Sequence, residues 1–146
     1  MVKPYAGIPA LIMTLVLALL LGGCAIHSGL DRSSSSAPGG GGNLMVQFVT
    51  SDSLGGTSED LLEVAESATM LDVIATVRIE RGQLRLEILA PDGTVALAVE
   101  GRPNREQVGT VRVSSDDQGR LRYRVTTTEA RQGRYQIMYR PLTPER

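Results

Sequence analysis

The chain has 146 residues, 42% of them apolar, and a net charge of −1, with one cysteine, one histidine and no tryptophan. Fifteen basic residues against sixteen acidic ones exclude nucleic acid as the partner. A lone cysteine excludes an internal disulfide, so any folded domain must be held by its apolar core alone.

The first segment, Met1 to Gly23, has the three parts of an export signal: Lys3 as the positive region, Ile8 to Leu21 as the apolar run, and Gly22-Gly23 as the small-residue cleavage zone. Fourteen residues from Ile8 to Leu21 reach roughly 21 Å as a helix, short of a bilayer core of about 30 Å. An ordinary secretory signal and an uncleaved signal anchor stay open on this evidence. Leu21-Gly22-Gly23-Cys24 resembles the lipobox of bacterial lipoproteins, with leucine, two small residues and cysteine in order behind an apolar run. That resemblance implies a diacylglyceryl group on the Cys24 sulfur, a cut between Gly23 and Cys24 in which Leu21, Gly22 and Gly23 are read by the signal peptidase, and an acyl chain such as palmitate on the new amino group. It places the protein outside the cytoplasm, lipid-anchored to the cell membrane or outer membrane, and Ala25 after the cysteine favours the outer one. Two or three acyl chains would hold it there stably.

Residues 24–43 contain Ser33 to Ser36, Pro38 and Gly39 to Gly42. Such a composition buries little and predicts a flexible tether. As a coil these 20 residues would have a reach of roughly 22 to 27 Å. His27 falls inside this span as a solvated residue.

A single domain is expected over residues 44–142, followed by a short tail over 143–146. Its texture is alternation of apolar and polar residues divided by glycine turns, the period of half-buried strands. Leu44 to Thr50 opens the series, and Ser51 to Ser58 reads as a loop. Leu61 to Met70 is ambiguous: Thr57 or Ser58 could cap a helix, but strand is preferred because everything after it is strand. Leu71, Val73, Ala75, Val77 and Ile79 share one face, with Ile74 out of step. Arg81-Gly82 predicts a tight hairpin turn back into Gln83 to Ile88. Pro91-Asp92-Gly93 predicts a second turn before Thr94 to Glu100.

After a polar connection at Gly101 to Gln107, Val108 to Val113 forms a short strand, and Asp116 to Gly119 turns the chain. Leu121, Tyr123 and Val125 then point one way, and Arg120, Arg122 and Arg124 the other. Glu129 to Gly133 predicts a last hairpin, with Tyr135, Ile137 and Tyr139 facing inward beyond it. About eight strands with regular turns predict an all-β fold, an antiparallel β-sandwich. Gly133 to Ile137, with Gly82-Gln83-Leu84 and Pro91-Asp92-Gly93, resembles the small β-sandwich domains of uncharacterised bacterial lipoproteins over residues 44 to 140. Those motifs carry fold, not activity.

Chemistry is sparse. The histidine lies in the tether and the cysteine in the lipobox, so neither a nucleophilic set nor an imidazole metal site can be assembled, and no cofactor is expected. Asp116-Asp117, or Asp52 with Glu59 and Asp60, could hold calcium, though neither has the spaced ligands of a dedicated loop. Charge is uneven: residues 44 to 72 hold six carboxylates and no arginine, whereas residues 102 to 140 hold nine arginines. The plain expectation is that the two halves complement each other. A sharper one makes Arg120, Arg122 and Arg124 a contact for an anionic polymer of the envelope. The sequence therefore predicts a non-catalytic binding or structural module, with the membrane and an envelope protein or polymer as partners. A carboxylate-dependent enzyme on envelope polysaccharide is the alternative.

Overall fold

Residues 30–36, 41–48 and 54–142 are described by the computed structural model, and among them there are seven strands and no helix. In chain order these are β1 (Leu30–Ser36), β2 (Gly42–Phe48), β3 (Leu54–Glu63), β4 (Met70–Leu89), β5 (Val95–Glu100), β6 (Gln107–Ser114) and β7 (Arg120–Pro141). Residues 1–29, with the export signal, Leu21, Gly22, Gly23, Cys24 and His27, lie outside the described residues, as do Asp52 and residues 143–146.

β4 and β7 form a long antiparallel ribbon, from Leu71 opposite Pro141 to Leu89 opposite Arg122. Around one half of it the strand order is β1-β2-β7-β4-β6, and around the other half it is β3-β7-β4-β5. All pairings are antiparallel. The inward side chains of both halves belong to one core: Leu71, Val73, Ala75, Val77 and Ile79 from the first half of β4, Leu84, Leu86 and Ile88 from the second. Leu121, Tyr123 and Val125 join Tyr135, Ile137 and Tyr139 from β7, all of them buried as the alternation predicts. The Tyr123 and Tyr135 rings, one from each half, meet with centroids 6.2 Å apart. The Tyr139 hydroxyl donates to the Glu63 carbonyl across the core at 3.4 Å. The result is an antiparallel β-sandwich whose two layers share their longest strands.

The layers are joined at a bend. Arg81 pairs with Arg131 but Gln83 pairs with Thr128, so β7 has one more residue than β4 across it. Gly82 takes φ +80 and Glu129 φ +49. A bulge of this kind increases twist and lets a strand pass from one layer to the next. This corrects the hairpins expected at Arg81-Gly82 and at Glu129 to Gly133. The glycine has the left-handed conformation that a hairpin needs, but the chain runs on instead of turning back.

Two further departures concern the N-terminal half. Leu30–Ser36, within the span read as tether, pairs with β2 in an antiparallel ladder, and Ser33, Ser34 and Ser35 stay exposed. Apolar content therefore says nothing against it, and a short polar strand suits a sheet edge. β3 begins at Leu54, inside the expected loop, and ends at Glu63 rather than Met70. There the Val64 and Ala65 amides donate to the Gly119 carbonyl at 2.9 and 3.1 Å, which draws the chain off the ladder. The Pro91-Asp92-Gly93 turn forms as expected, with Gly93 at φ +85 and the Asp92 carboxylate accepting from the Thr94 amide at 2.9 Å.

A Cβ at Gly82 would press on the carbonyl groups of Glu129 and Thr128, whereas one at Gly93 has only the Arg122 guanidinium, 4.0 Å away. Both positions need positive φ, so Gly93→Ala should cost about 1 kcal/mol and Gly82→Ala about 3 kcal/mol or more. Denaturant unfolding checks the pair; equal losses would contradict the bend as a close-packed joint.

Candidate functional site

The row Arg120, Arg122 and Arg124 lies on the outer face of β7, and each side chain meets a carboxylate. The Arg120 guanidinium is 2.9 Å from Asp116, and Arg122 is 3.5 Å from Glu59. Arg124 donates to Glu59 on β3 at 3.1 Å and to Glu87 on β4 at 3.3 Å. Glu87, itself buried, also accepts from Arg85 at 2.9 Å, and Arg85 reaches on to Glu100 of β5 at 2.6 Å. Register explains the chain of contacts, because Glu59 lies opposite Arg124, Arg124 opposite Glu87, and Arg85 opposite Glu100. Glu59 of an early strand thus offsets Arg122 and Arg124 of the last one, with Glu87 joining from β4. The other layer repeats the device where Asp72 takes Arg112 and Arg140, each at 3.1 Å.

These partners set the carboxyl groups. Hydrogen bonds from Arg112 and then Arg140 hold Asp72 below the usual aspartate range. The Arg120 amide does the same for Asp116, against an opposing effect of desolvation. Asp92 is lowered by the Thr94 hydroxyl and amide. The Asp116 oxygens considered for calcium accept from the Gln118 and Arg120 amides and from the Arg120 guanidinium. Among the described residues no group of three or more His, Cys, Asp or Glu is placed to hold a metal ion.

A different set of arginines gathers at the bend, and all but one of them are without an ion pair among the described residues. Arg81 and Arg131 face each other in register, and so do Arg78 and Arg134. The loop after β5 adds Arg102 and Arg105, held there by the Asn104 amide donating to the Ile79 carbonyl at 3.0 Å and by a bridge between Ile79 and Pro103. Against these six stand Glu80, Glu106 and Glu129, and of the six only Arg134 forms an ion pair among the described residues, with Glu106 at 2.9 Å. A recess of about 280 Å³ lies between Arg81, Gly82, Glu129 and Arg131. It holds one carboxylate, so it does not supply the pair that glycoside hydrolysis needs. Sequence reading missed this cluster because its members come from three separate stretches that only the bend brings together. The signal that could have found it is the switch of inward positions from odd to even across Gly82, which marks a corner.

No family model matches this sequence, and no curated protein matches it. Solved structures resemble the fold at low identity. One is a carbohydrate-binding module of the Cellvibrio mixtus lichenase 5A in complex with cellotriose, with 14% identity, 80% of this chain and 89% of that one covered, and a TM-score of 0.39. Another comes from Bacillus endospore appendages, described as disulfide-linked pili, with 7% identity, coverage of 82% and 97%, and a TM-score of 0.44. A third is the xylan-binding domain of Paenibacillus barcinonensis Xyn10C, with 13% identity, coverage of 80% and 82%, and a TM-score of 0.40.

Carboxyl groups whose folded pKa lies below the unfolded one stabilise the fold above the unfolded value, and that stabilisation disappears as pH falls through the folded value. Asp72, Asp92 and Asp116 should therefore make the unfolding midpoint drop below about pH 4. An Asp72→Asn/Asp116→Asn variant should show a flatter acid slope; an unchanged slope would contradict the assignment. Glu87→Ala, which removes the buried carboxylate that Arg85 and Arg124 share, should cost about 2 kcal/mol at neutral pH in the same measurement.

Proposed function

We propose that the chain is an exported lipoprotein, anchored through acyl chains on Cys24, whose β-sandwich serves as a non-catalytic binding or structural module at the cell envelope. One observation carries this reading: the apolar run Ile8 to Leu21 ends in Leu21-Gly22-Gly23-Cys24, with the chain's single cysteine in the position that is acylated in lipoproteins. The sandwich supports the non-catalytic part. Its interior is filled by interlocking aliphatic and tyrosine side chains. Four outward carboxylates are engaged by arginines, which makes Glu59, Glu87, Asp72 and Asp116 ion-pair partners rather than acid and base. Arg120, Arg122 and Arg124 are read accordingly as cross-strand ties, and an anionic polymer would have to compete with Asp116, Glu59 and Glu87 for them.

Expressed in a bacterium with labelled palmitate, the chain should take up label, and its intact mass should match a chain beginning at Cys24 plus diacylglycerol and one acyl group. Cys24→Ala should lose the label and keep residues 1–23. A mature chain cut elsewhere and free of lipid would refute the reading.

A further inference from the structure

The start of β1 and the unpaired arginines occupy the same end of the sandwich. Leu30 lies opposite Phe48, Phe48 opposite Gly133, Gly133 opposite Ile79, and Ile79 bridges to Pro103, so these five residues form one row across the layer. Arg78 and Arg134 sit one position to one side of that row, and Arg81 and Arg131 two positions to the other. Leu30 is also where the described chain meets its anchor, because only five residues separate it from Cys24. The six Cα-to-Cα steps from Cys24 to Leu30 span at most about 22 Å, and three strand spacings from β1 to β4 cover about 14 Å. The arginine corner is therefore held at the lipid surface if Cys24 is.

From this juxtaposition we infer that the corner formed by Arg78, Arg81, Arg102, Arg105 and Arg131 rests on the headgroups of an anionic phospholipid membrane. It acts as a second contact that fixes how the domain stands on its acyl anchor. The inference rests on acylation of Cys24. Its chemistry is complementary: these five side chains have no ion pair among the described residues, whereas the arginines of the flat outer faces do. Guanidinium forks match phosphate oxygens, and attraction to an anionic leaflet acts only within about a Debye length, which the short connection ensures. Like charges placed opposite one another, as Arg81 and Arg131 are, oppose folding unless an anion lies between them. The left-handed non-glycine residues in the described chain, Asn104, Glu129 and Gln132, flank this same corner. Such conformations concentrate where a surface has a task beyond stability.

The test uses the full chain purified from the membrane, in vesicles of phosphatidylcholine alone or with about one-third phosphatidylglycerol. Hydrogen exchange should show residues 78–82, 102–105 and 129–134 protected on the anionic vesicles and open on the neutral ones, with residues 120–124 unaffected. Transfer of the protein between anionic vesicles should speed up about five-fold for each arginine removed in Arg81→Ser/Arg131→Ser, and high salt should give the same acceleration. Both side chains are exposed and removing them relieves a like-charge pair, so the variant's unfolding midpoint in neutral detergent should equal or exceed the parent's. Intact mass separates the two readings. An acylated chain with equal exchange and equal transfer on both vesicles would overturn the corner contact and leave the anchor standing, whereas a chain without acyl groups would overturn the anchor and this inference with it. Protection of the same segments by an acidic polysaccharide, with none on anionic vesicles, would also overturn it.

Discussion

Everything in this domain follows from the bend that β4 and β7 make together at Gly82. Two strands of 20 and 22 residues would otherwise form a flat ribbon with its apolar residues in water. By folding that ribbon on itself, the bulge sets Leu71 to Ile79 and Leu84 to Ile88 around the same interior. The remaining strands then need only add to the two edges of each half. This is how about 100 residues with three tyrosines, no tryptophan and no disulfide close a core: the aliphatic faces of the same two strands are used twice. The joint is tight because Gly82 lies against the Glu129 and Thr128 carbonyls, so no side chain larger than hydrogen fits.

The bend also sorts the charges. Where the layers are flat, strand register brings carboxylate and guanidinium opposite one another, as at Glu59 and Arg124 or Asp72 and Arg140. Glu87 shows how strict the arrangement is, since a buried carboxylate is tolerated only because Arg85 and Arg124 both reach it. At the corner, register runs out. The loop after β5 and the bulge of β7 bring six arginines together with three glutamates, and an excess of positive charge remains.

Within the layers much was legible from sequence. The inward sets Leu71 to Ile79, Leu121 to Val125 and Tyr135 to Tyr139 follow from alternation, and Ile74, out of step in sequence, is 39% exposed in the fold. Turn chemistry was legible where it is local, as at Pro91-Asp92-Gly93. What escaped was decided by distant backbone. A left-handed glycine has one conformation in a hairpin and in a bulge, so Gly82 read as a turn until its neighbours across the ribbon were known. The end of β3 depends on the Gly119 carbonyl, far along the chain, and the serine strand β1 pairs with the edge that β2 leaves open. The arginine row was visible because it is contiguous; the corner was not, because it is assembled.

β1 changes the physical setting of the proposed anchor. A 20-residue tether would let the sandwich wander over roughly 22 to 27 Å and turn freely. With Leu30 already in the sheet, six Cα-to-Cα steps remain, a coil with a root-mean-square span of roughly 12 to 15 Å. That is close to half the width of the sheet it serves, so rotation is restricted before any charge is considered. Under acylation of Cys24, one end of the sandwich must face the membrane and the opposite end, with the Asp116 to Gly119 turn and the Asp72 ladder, must face away. A partner in the envelope would then meet the ion-paired faces and the far turns, while the unpaired arginines stay on the lipid side.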